Sequence, residues 1–184
     1  MVLAVWIVGG VVVFIGLVFL YYFNRLTTLS NRIDNSLSQI DVQLKRRADL
    51  IPNLIESVKG YMKHEKTIIQ SVNDARKALM GAKDLPSRIK ANQKLEGFLG
   101  RLFAIAEAYP DLKANTTFVE LQRELSSTED RIAYARQYYN DSILSYNDLV
   151  KTFPGRVFAQ MYGYKPKEGL KITEAERKNV KVDF

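Results

Sequence analysis

The first 24 residues of the chain contain no charged side chain, and residues 2–23 form an almost continuous apolar run. At a helical rise of about 1.5 Å per residue, this run spans roughly 33 Å, close to the ~30 Å hydrocarbon core of a bilayer. Trp6 lies near one end and Tyr21 and Tyr22 near the other, where aromatic rings favour membrane interfaces. We predict a transmembrane anchor over residues 1–24, with these rings and Arg25 at its interfaces.

A cleaved signal peptide and a buried core helix are the alternatives for this run. A signal peptide has a basic start, a shorter apolar stretch and small residues at its cleavage site. Here no Lys or Arg precedes the run, and it ends in Tyr and Phe. The nearest positive charges follow it, at Arg25 and Arg32, so the positive-inside tendency predicts a single-pass protein with a cytoplasmic C-terminal domain.

Composition limits the partners and the chemistry of the rest of the chain. The chain has no cysteine, which excludes disulfides, thiolate metal sites and cysteine nucleophiles. Its net charge of +7 comes from 27 basic and 20 acidic residues that are mostly interspersed, with one basic run at Lys45, Arg46 and Arg47. Nothing resembles a nucleic-acid-binding motif, so we expect no nucleic-acid partner. Attraction to anionic lipid and a solvated surface explain the charge equally well.

Apolar residues recur in steps of three and four along the rest of the chain, which predicts an all-α domain. The four stripes cover residues 26–44, 51–79, 95–109 and 118–153. Such narrow stripes are best buried against one another, so we predict an antiparallel, up-and-down four-helix bundle after the N-terminal transmembrane helix. A single long coiled coil is the alternative. The bundle covers residues 25–163, and a basic, mobile tail covers residues 164–184.

The fourth stripe holds for about five heptads, so it predicts a helix of about 36 residues, roughly 54 Å long. Its last member is Phe153. Because this helix is longer than the third can cover, we expect it to leave apolar surface for a neighbouring subunit.

Capping residues predict where the helices begin and end. Asp84 and Pro86 predict the start of the third helix, and Asn115 that of the fourth, which ends before Pro154. A short helix over residues 156–162 then ends at Gly163, which suits a left-handed cap.

Two junctions along the first two stripes are informative. The first stripe starts only three residues past Phe23, at Leu26, so we expect span and bundle to be joined nearly rigidly. The apolar pattern passes through Pro52, so one kinked helix reaching Leu79 and a break that starts a new helix both fit. We favour a break or strong kink over residues 48–52.

The sequence shows no catalytic or metal-binding pattern. His64 is the single histidine and residue 61 is Tyr, so the Glu-x-x-His pair of a di-iron bundle is absent. No phosphate loop and no Ser-His-Asp set can be assembled. We therefore predict a protein that is not an enzyme and binds no cofactor. Glu65 falls on the second stripe, where it either pairs inside the bundle or marks a helix end.

One short repeat stands out in the fourth stripe. Tyr139-Asn140 recurs seven residues later as Tyr146-Asn147, so both tyrosines lie on the stripe and both asparagines lie beside it. We favour the interpretation that both tyrosine rings pack in the core and help to specify it. A surface for a partner is the alternative.

Several segments closely resemble the LemA family. They are residues 40–54, 58–61, 64–65, 107–112 and 129–132, the two Tyr-Asn pairs, Phe153-Pro154, and the ending Val182-Asp183-Phe184. The family pattern is Phe-Gly-Phe where this chain has Tyr162-Gly163-Tyr164, and it has an amide where this chain has Asp130.

The resemblance implies a bacterial inner-membrane protein with a four-helix cytoplasmic domain and no accepted catalytic residues. It also implies kinship with the LemA-like protein of magnetosome membranes, and a loose link to a membrane metalloprotease of the HtpX type. Two functions follow as expectations. One is a scaffold that self-assembles to organise or remodel the bilayer, and the other is a tethered adaptor or regulator of another membrane protein. The candidate interaction residues are Lys45, Arg46, Arg47, Asp49, Glu65, Tyr139 and Tyr146.

Overall fold

A computed structural model describes residues 1–170, and these form helices without a strand. The elements are α1 (Val2–Lys59), α2 (Lys66–Gly81), α3 (Leu85–Ala106), α4 (Pro110–Lys113), α5 (Thr116–Lys151) and α6 (Gly155–Met161). The predicted all-α class is confirmed, whereas the antiparallel arrangement of the bundle and the membrane span stay predictions.

The chain divides into two compact units. Unit 1 comprises Met1–Leu37 together with the described chain from Arg136 onward, and unit 2 comprises Ser38–Ala135. Helices α1 and α5 each contribute one part to unit 1 and another to unit 2.

Helix α1 passes through Pro52 without interruption, so of the predicted break or strong kink over residues 48–52 the break is wrong and the kink stays a prediction. Proline lacks an N–H and therefore leaves the carbonyl four residues before it without its helical donor. That carbonyl belongs to Ala48, which is fully buried, and the Arg76 Nε of α2 donates a hydrogen bond to it at 2.9 Å. A side chain from the next helix thus replaces the bond that Pro52 removes.

The break in the second stripe lies further along, between α1 and α2 at residues 60–65. Met62 is buried there, while the predicted stripe residue Tyr61 is exposed. The chain turns at this point, so the helical period that placed Tyr61 inside no longer applies. At the other end, no linker separates the apolar run from Leu26, because both belong to α1.

The predicted helix ends are largely confirmed. Asp84 caps α3 by accepting a hydrogen bond from the Ser87 N–H at 2.9 Å, and this bond lowers the pKa of the Asp84 carboxyl. Asn115 caps α5 through the Phe118 N–H at 3.0 Å, and α5 is 36 residues long. Gly163 has a φ of 75°, in the left-handed region that favours glycine.

The core of unit 1 combines the first stripe with the end of the fourth. Its buried residues are Leu26, Leu29 and Ile33 of α1, Ile143, Tyr146 and Val150 of α5, and Ala159 of α6. The stripe of α5 therefore leaves no uncovered apolar seam over residues 118–149, because its positions there are buried or half-buried within the chain. Phe153 is the stripe residue that lies outside, with an exposed fraction of 86%.

Helix α6 follows α5 after a three-residue turn and packs into this core. A Cβ atom at Gly155 would lie 2.2 Å from the carbonyl oxygen of Leu149, so only glycine fits where α6 begins. On the inner face of α6, Phe158 and Ala159 are buried.

The core of unit 2 draws on five helices, with Leu112 as the contribution of α4. Its large buried residues include Ile40, Leu44, Ile51 and Leu54 of α1, Val72 and Leu79 of α2, Leu95, Leu99 and Leu102 of α3, and Phe118, Leu121 and Leu125 of α5. The rings of Phe103 and Phe118 join α3 to α5 in an edge-to-face contact, with centroids 6.1 Å apart.

Candidate functional site

The N-terminal part of α1 holds the one stretch among residues 1–170 that is long and apolar enough to cross a membrane, and none of it is buried. The predicted interface residues Trp6 and Tyr21 are exposed, with exposed fractions of 78% and 62%, and Arg25 is exposed as well. Tyr22 differs, because it is half-buried against α6.

Three aromatic contacts hold α6 against the last residues of the apolar run. The Phe158 ring stacks on Tyr22 with centroids 4.5 Å apart, and it meets Phe19 edge-on at 5.0 Å. The Tyr162 ring meets Phe23 at 5.3 Å, and its hydroxyl donates a hydrogen bond to the Phe19 carbonyl at 3.1 Å. This junction between α6 and α1 was not predicted, because no local pattern pairs residues so far apart.

The basic run at Lys45, Arg46 and Arg47 is paired with carboxylates of unit 2. The Lys45 ammonium lies 2.5 Å from Asp49, and the Arg46 guanidinium lies 2.7 Å from Glu124. Both pairs are exposed, so each contributes little to stability.

Arg47 is the exception in this run, because its side chain is only 3% exposed. It donates hydrogen bonds to Glu129 Oε2 at 2.8 Å and to Asn92 Oδ1 at 3.3 Å. These contacts join α1, α3 and α5 inside unit 2. The prediction of Arg47 as a surface for a partner is therefore wrong, since a buried, ion-paired guanidinium serves the packing of the unit.

Glu65 lies directly before α2, so the helix-end interpretation is the one that the structure favours. It is half-buried, and the Tyr109 hydroxyl donates a long hydrogen bond to its Oε1 at 3.5 Å.

Of the two tyrosines of the repeat, Tyr146 lies in the core of unit 1 and Tyr139 lies beside it. Tyr146 is 1% exposed and donates its hydroxyl to the Lys165 carbonyl at 2.9 Å. Burial raises the pKa of Tyr146, and burial together with the negative charge of Asp34 raises the pKa of Tyr139. These contacts agree with a role in the core for Tyr146, while Tyr139 is half-buried at its edge.

The two asparagines of the repeat hold the chain that follows α6. The Asn147 amide donates to the Lys167 carbonyl at 2.8 Å and accepts from the Lys167 N–H at 2.9 Å. Asn140 makes the same pair of bonds with Leu170, at 3.2 and 2.8 Å. Seven residues of helix rise about 10.5 Å and three extended residues span about 10 Å, so the spacings match.

Residues 164–170 are therefore not the mobile tail that we expected. The Tyr164 hydroxyl also lies 3.1 Å from Thr27 Oγ1, and Lys167 Nζ donates to Ser30 Oγ at 3.1 Å. The rest of the predicted tail, with the ending Val182-Asp183-Phe184, lies outside the described residues.

Within residues 1–170 no group of His, Asp and Glu side chains is placed to hold a metal ion. His64 is exposed in the turn between α1 and α2.

The sequence model of the LemA family matches residues 36–184, which is most of the chain. This chain belongs to the LemA family. The LemA match begins in unit 1 and includes all of unit 2.

The chain is also similar to curated relatives, one named LemA and others named magnetosome proteins. The chain is 28% identical to Protein LemA of Metamycoplasma hominis over 170 residues, which cover 90% of this chain and 78% of the relative. It is 26% identical to Magnetosome protein MamQ of Magnetospirillum gryphiswaldense over 169 residues, 78% of this chain and 62% of that protein. It is 27% identical to Magnetosome protein MamQ 2 of Paramagnetospirillum magneticum, covering 86% of this chain and 68% of that one.

The chain thus spans between 62% and 78% of the length of these three relatives. Together with the candidate span in α1, they fit a membrane-associated protein of the LemA family.

Proposed function

We propose that this LemA family member is a single-pass protein of the bacterial inner membrane whose cytoplasmic helical domain assembles with further copies of itself as a scaffold for membrane organisation or remodelling. The observation that carries the proposal is α1, in which an exposed apolar run continues as one helix into the cores of both units. The relatives named magnetosome proteins favour a part in membrane organisation.

A direct helical junction supports this function over simple tethering. A flexible linker would let the domain move independently of its anchor, whereas a continuous helix transmits a tilt of one end to the other. Assembly of the domains would therefore change the tilt of α1 in the bilayer. Basic residues at the start of the first stripe, such as Arg25 and Arg32, favour a cytoplasmic domain.

An apolar groove on unit 2 is the surface that best fits a second copy. The exposed side chains of Val42 and Met80 lie beside Leu79 in a groove of about 230 Å³, with the Asp41–Arg88 ion pair at its edge. Exposed apolar side chains with a charged rim are typical of an interface between proteins. We assign self-association to this groove, since the stripe of α5 is covered within the chain.

The molecular mass of the full-length chain in detergent and in lipid discs tests the proposal. We expect an oligomer that Val42→Glu and Met80→Glu dissociate, because each places a charge in the apolar groove. Val119→Glu is the matched control, since Val119 is an exposed apolar residue elsewhere on unit 2. Deletion of residues 2–18 keeps Phe19 and Tyr22 on Phe158 and separates assembly through the span from assembly through the domain. A full-length chain that stays monomeric at every concentration would contradict the scaffold.

An adaptor or regulator of another membrane protein, such as an HtpX-type protease, is the alternative. It has less support, because Arg46 and Arg47 are ion-paired within unit 2 and residues 164–170 are held against α1 and α5. Crosslinking in cells separates the two functions, since an adaptor would be captured with a different protein and a scaffold with itself. Neither function involves catalysis or a cofactor.

A further inference from the structure

Three exposed apolar side chains occur at four-residue intervals around α6. Phe153, Val157 and Met161 have exposed fractions of 86%, 47% and 59%. Val157 and Met161 are four residues apart within α6, so they lie on the same side of this helix, and Phe153 lies in the turn just before it. The opposite side of α6 is buried in unit 1. The inner face of this short helix is therefore apolar, and its outer face carries Val157 and Met161 beside the polar Arg156 and Gln160.

The position of α6 in unit 1 is beside the end of the apolar run. Phe158 and Tyr162 contact Phe19, Tyr22 and Phe23, which lie in the last turns of the apolar run before Arg25. These residues mark the level at which a span over residues 2–23 would leave the hydrocarbon. The outer face of α6 is thus continuous with the surface that the span would present to lipid.

The charges around this face are mostly basic. Between residues 148 and 165 the charged residues are Asp148, Lys151, Arg156 and Lys165, and all four are exposed. Apolar side chains bordered by Lys and Arg are the composition of a helix that lies in a membrane interface with anionic headgroups.

We propose that Phe153, Val157 and Met161 insert into the headgroup–acyl boundary of the bilayer, so that α6 lies on the membrane beside the anchor. The inference rests on the proposed membrane span. Lipid is a better occupant than a second protein, since this face lies beside the end of the apolar run and has mostly basic residues near it. Docking of α6 would fix the rotation of α1 about its axis and hold unit 1 against the lipid surface.

The absence of cysteine from the sequence makes a direct test possible. Full-length variants with a single cysteine at Phe153, Val157 or Met161 carry an environment-sensitive dye, in discs of phosphatidylglycerol and phosphatidylethanolamine with one protein copy each. We expect a blue shift of the dye emission and a loss of intensity when the lipids carry a quencher near the headgroup. Val119→Cys is the matched exposed apolar control, and its dye should show neither change.

A dye at Val12→Cys separates failure of this inference from failure of the proposed span. If α1 spans the bilayer, a quencher near the chain ends reduces the emission of that dye. Quenching at Val12 without quenching at Phe153, Val157 and Met161 would overturn the docking of α6 and leave the span intact. A blue shift at Phe153 that appears only with several copies per disc, without quenching by lipid, would assign this face to a second copy and also overturn the proposal.

Discussion

At the residue scale, burial separates the structural roles of polar side chains that look alike in the sequence. Lys45, Arg46 and Arg47 are alike in sequence, yet the first two form exposed pairs and the third is buried with Glu129. The order of charges along α1 could not separate them, because the helical period defines faces and only the neighbouring helices define which face is covered. The Tyr-Asn repeat was visible in the sequence, but the backbone atoms that Asn140 and Asn147 bind were not.

The ion pair of Arg47 and Glu129 predicts an asymmetric response to substitution. Glu129→Ala leaves the buried guanidinium of Arg47 without its carboxylate, so we expect the free energy of unfolding to fall by about 2–4 kcal/mol. Arg47→Met removes the buried charge and leaves Glu129, which is 38% exposed, able to meet water, so the loss should be about 1–2 kcal/mol. Asp49→Ala is the exposed control. Denaturant unfolding of the full-length protein in detergent measures these losses, and equal losses for the two variants would contradict the assignment.

The Asp84 cap predicts an acid-dependent loss of stability. Because its hydrogen bond from Ser87 lowers the folded-state pKa below the ordinary value of 3.8, the charged cap stabilises the fold fully above about pH 4. This contribution is lost as the pH falls through the lowered pKa. Asp84→Asn keeps an acceptor and should flatten this part of the acid dependence, while Asp84→Ala should lower the melting temperature at neutral pH. Melting curves across the acid range, compared with Asp111→Asn, check both expectations.

At the scale of elements, long-range contacts changed two outcomes that the sequence left open. The helical stripe across Pro52 allowed both a break and a continuous helix, and Arg76 from α2 decides for continuity by bonding the Ala48 carbonyl. The residues after Gly163 carry no strong pattern, and α5 orders residues 164–170 by pairing its asparagines with their backbone. Tyr162 and Tyr164 add hydroxyl contacts to α1.

A double-mutant cycle of Arg76→Leu and Pro52→Ala measures the role of Arg76 as a coupling free energy of unfolding. Arg76→Leu leaves the buried Ala48 carbonyl without a donor, so we expect a loss of about 1–3 kcal/mol. In a Pro52→Ala background the backbone N–H of residue 52 can bond that carbonyl, and the same substitution should cost at least about 1 kcal/mol less. Unfolding of the two single variants and the double variant gives the coupling, and strict additivity would contradict the account of Pro52.

The asparagine pairs predict which amides exchange slowly with solvent. Asn147→Ala removes the acceptor of the Lys167 N–H and the donor to its carbonyl, so the amide of Lys167 should exchange much faster. Asn147→Asp retains the acceptor and should preserve most of the protection. Asn140→Ala should act in the same way at Leu170. Hydrogen exchange of the full-length protein measures this, with Asn73→Ala as the control on α2. Unchanged exchange at Lys167 would show that the bonds from Asn147 do not hold this segment.

At the scale of the whole molecule, α1 joins an apolar run to two packed units through one helix of 58 residues. Most side chains of this run are exposed, so the rest of the described chain does not cover its most apolar surface. Water is an unfavourable solvent for such a surface, so we expect this run to insert into lipid.

Lysine in the middle of the run should release the chain from membranes. Val12 and Val13 are both 63% exposed, so Val12→Lys with Val13→Lys leaves the packing of the two units intact. Two central lysines cost about 5–7 kcal/mol for insertion on the translocon scale. We expect the wild-type chain to resist alkaline carbonate and high salt, and the lysine variant to become extractable. The control is Val12→Leu with Val13→Leu, and extraction of the wild-type chain by salt alone would contradict a spanning helix.

The sequence by itself determined the helical class, the apolar run, the caps at Asp84 and Asn115, and the length of α5, because each depends on local chemistry within a few residues. The tertiary structure decided the continuity of α1 at Pro52, the burial of Arg47, the order of residues 164–170 and the exposure of Phe153. Each of these depends on which group from a distant part of the chain covers or bonds a given atom, and helical periodicity does not encode that partner.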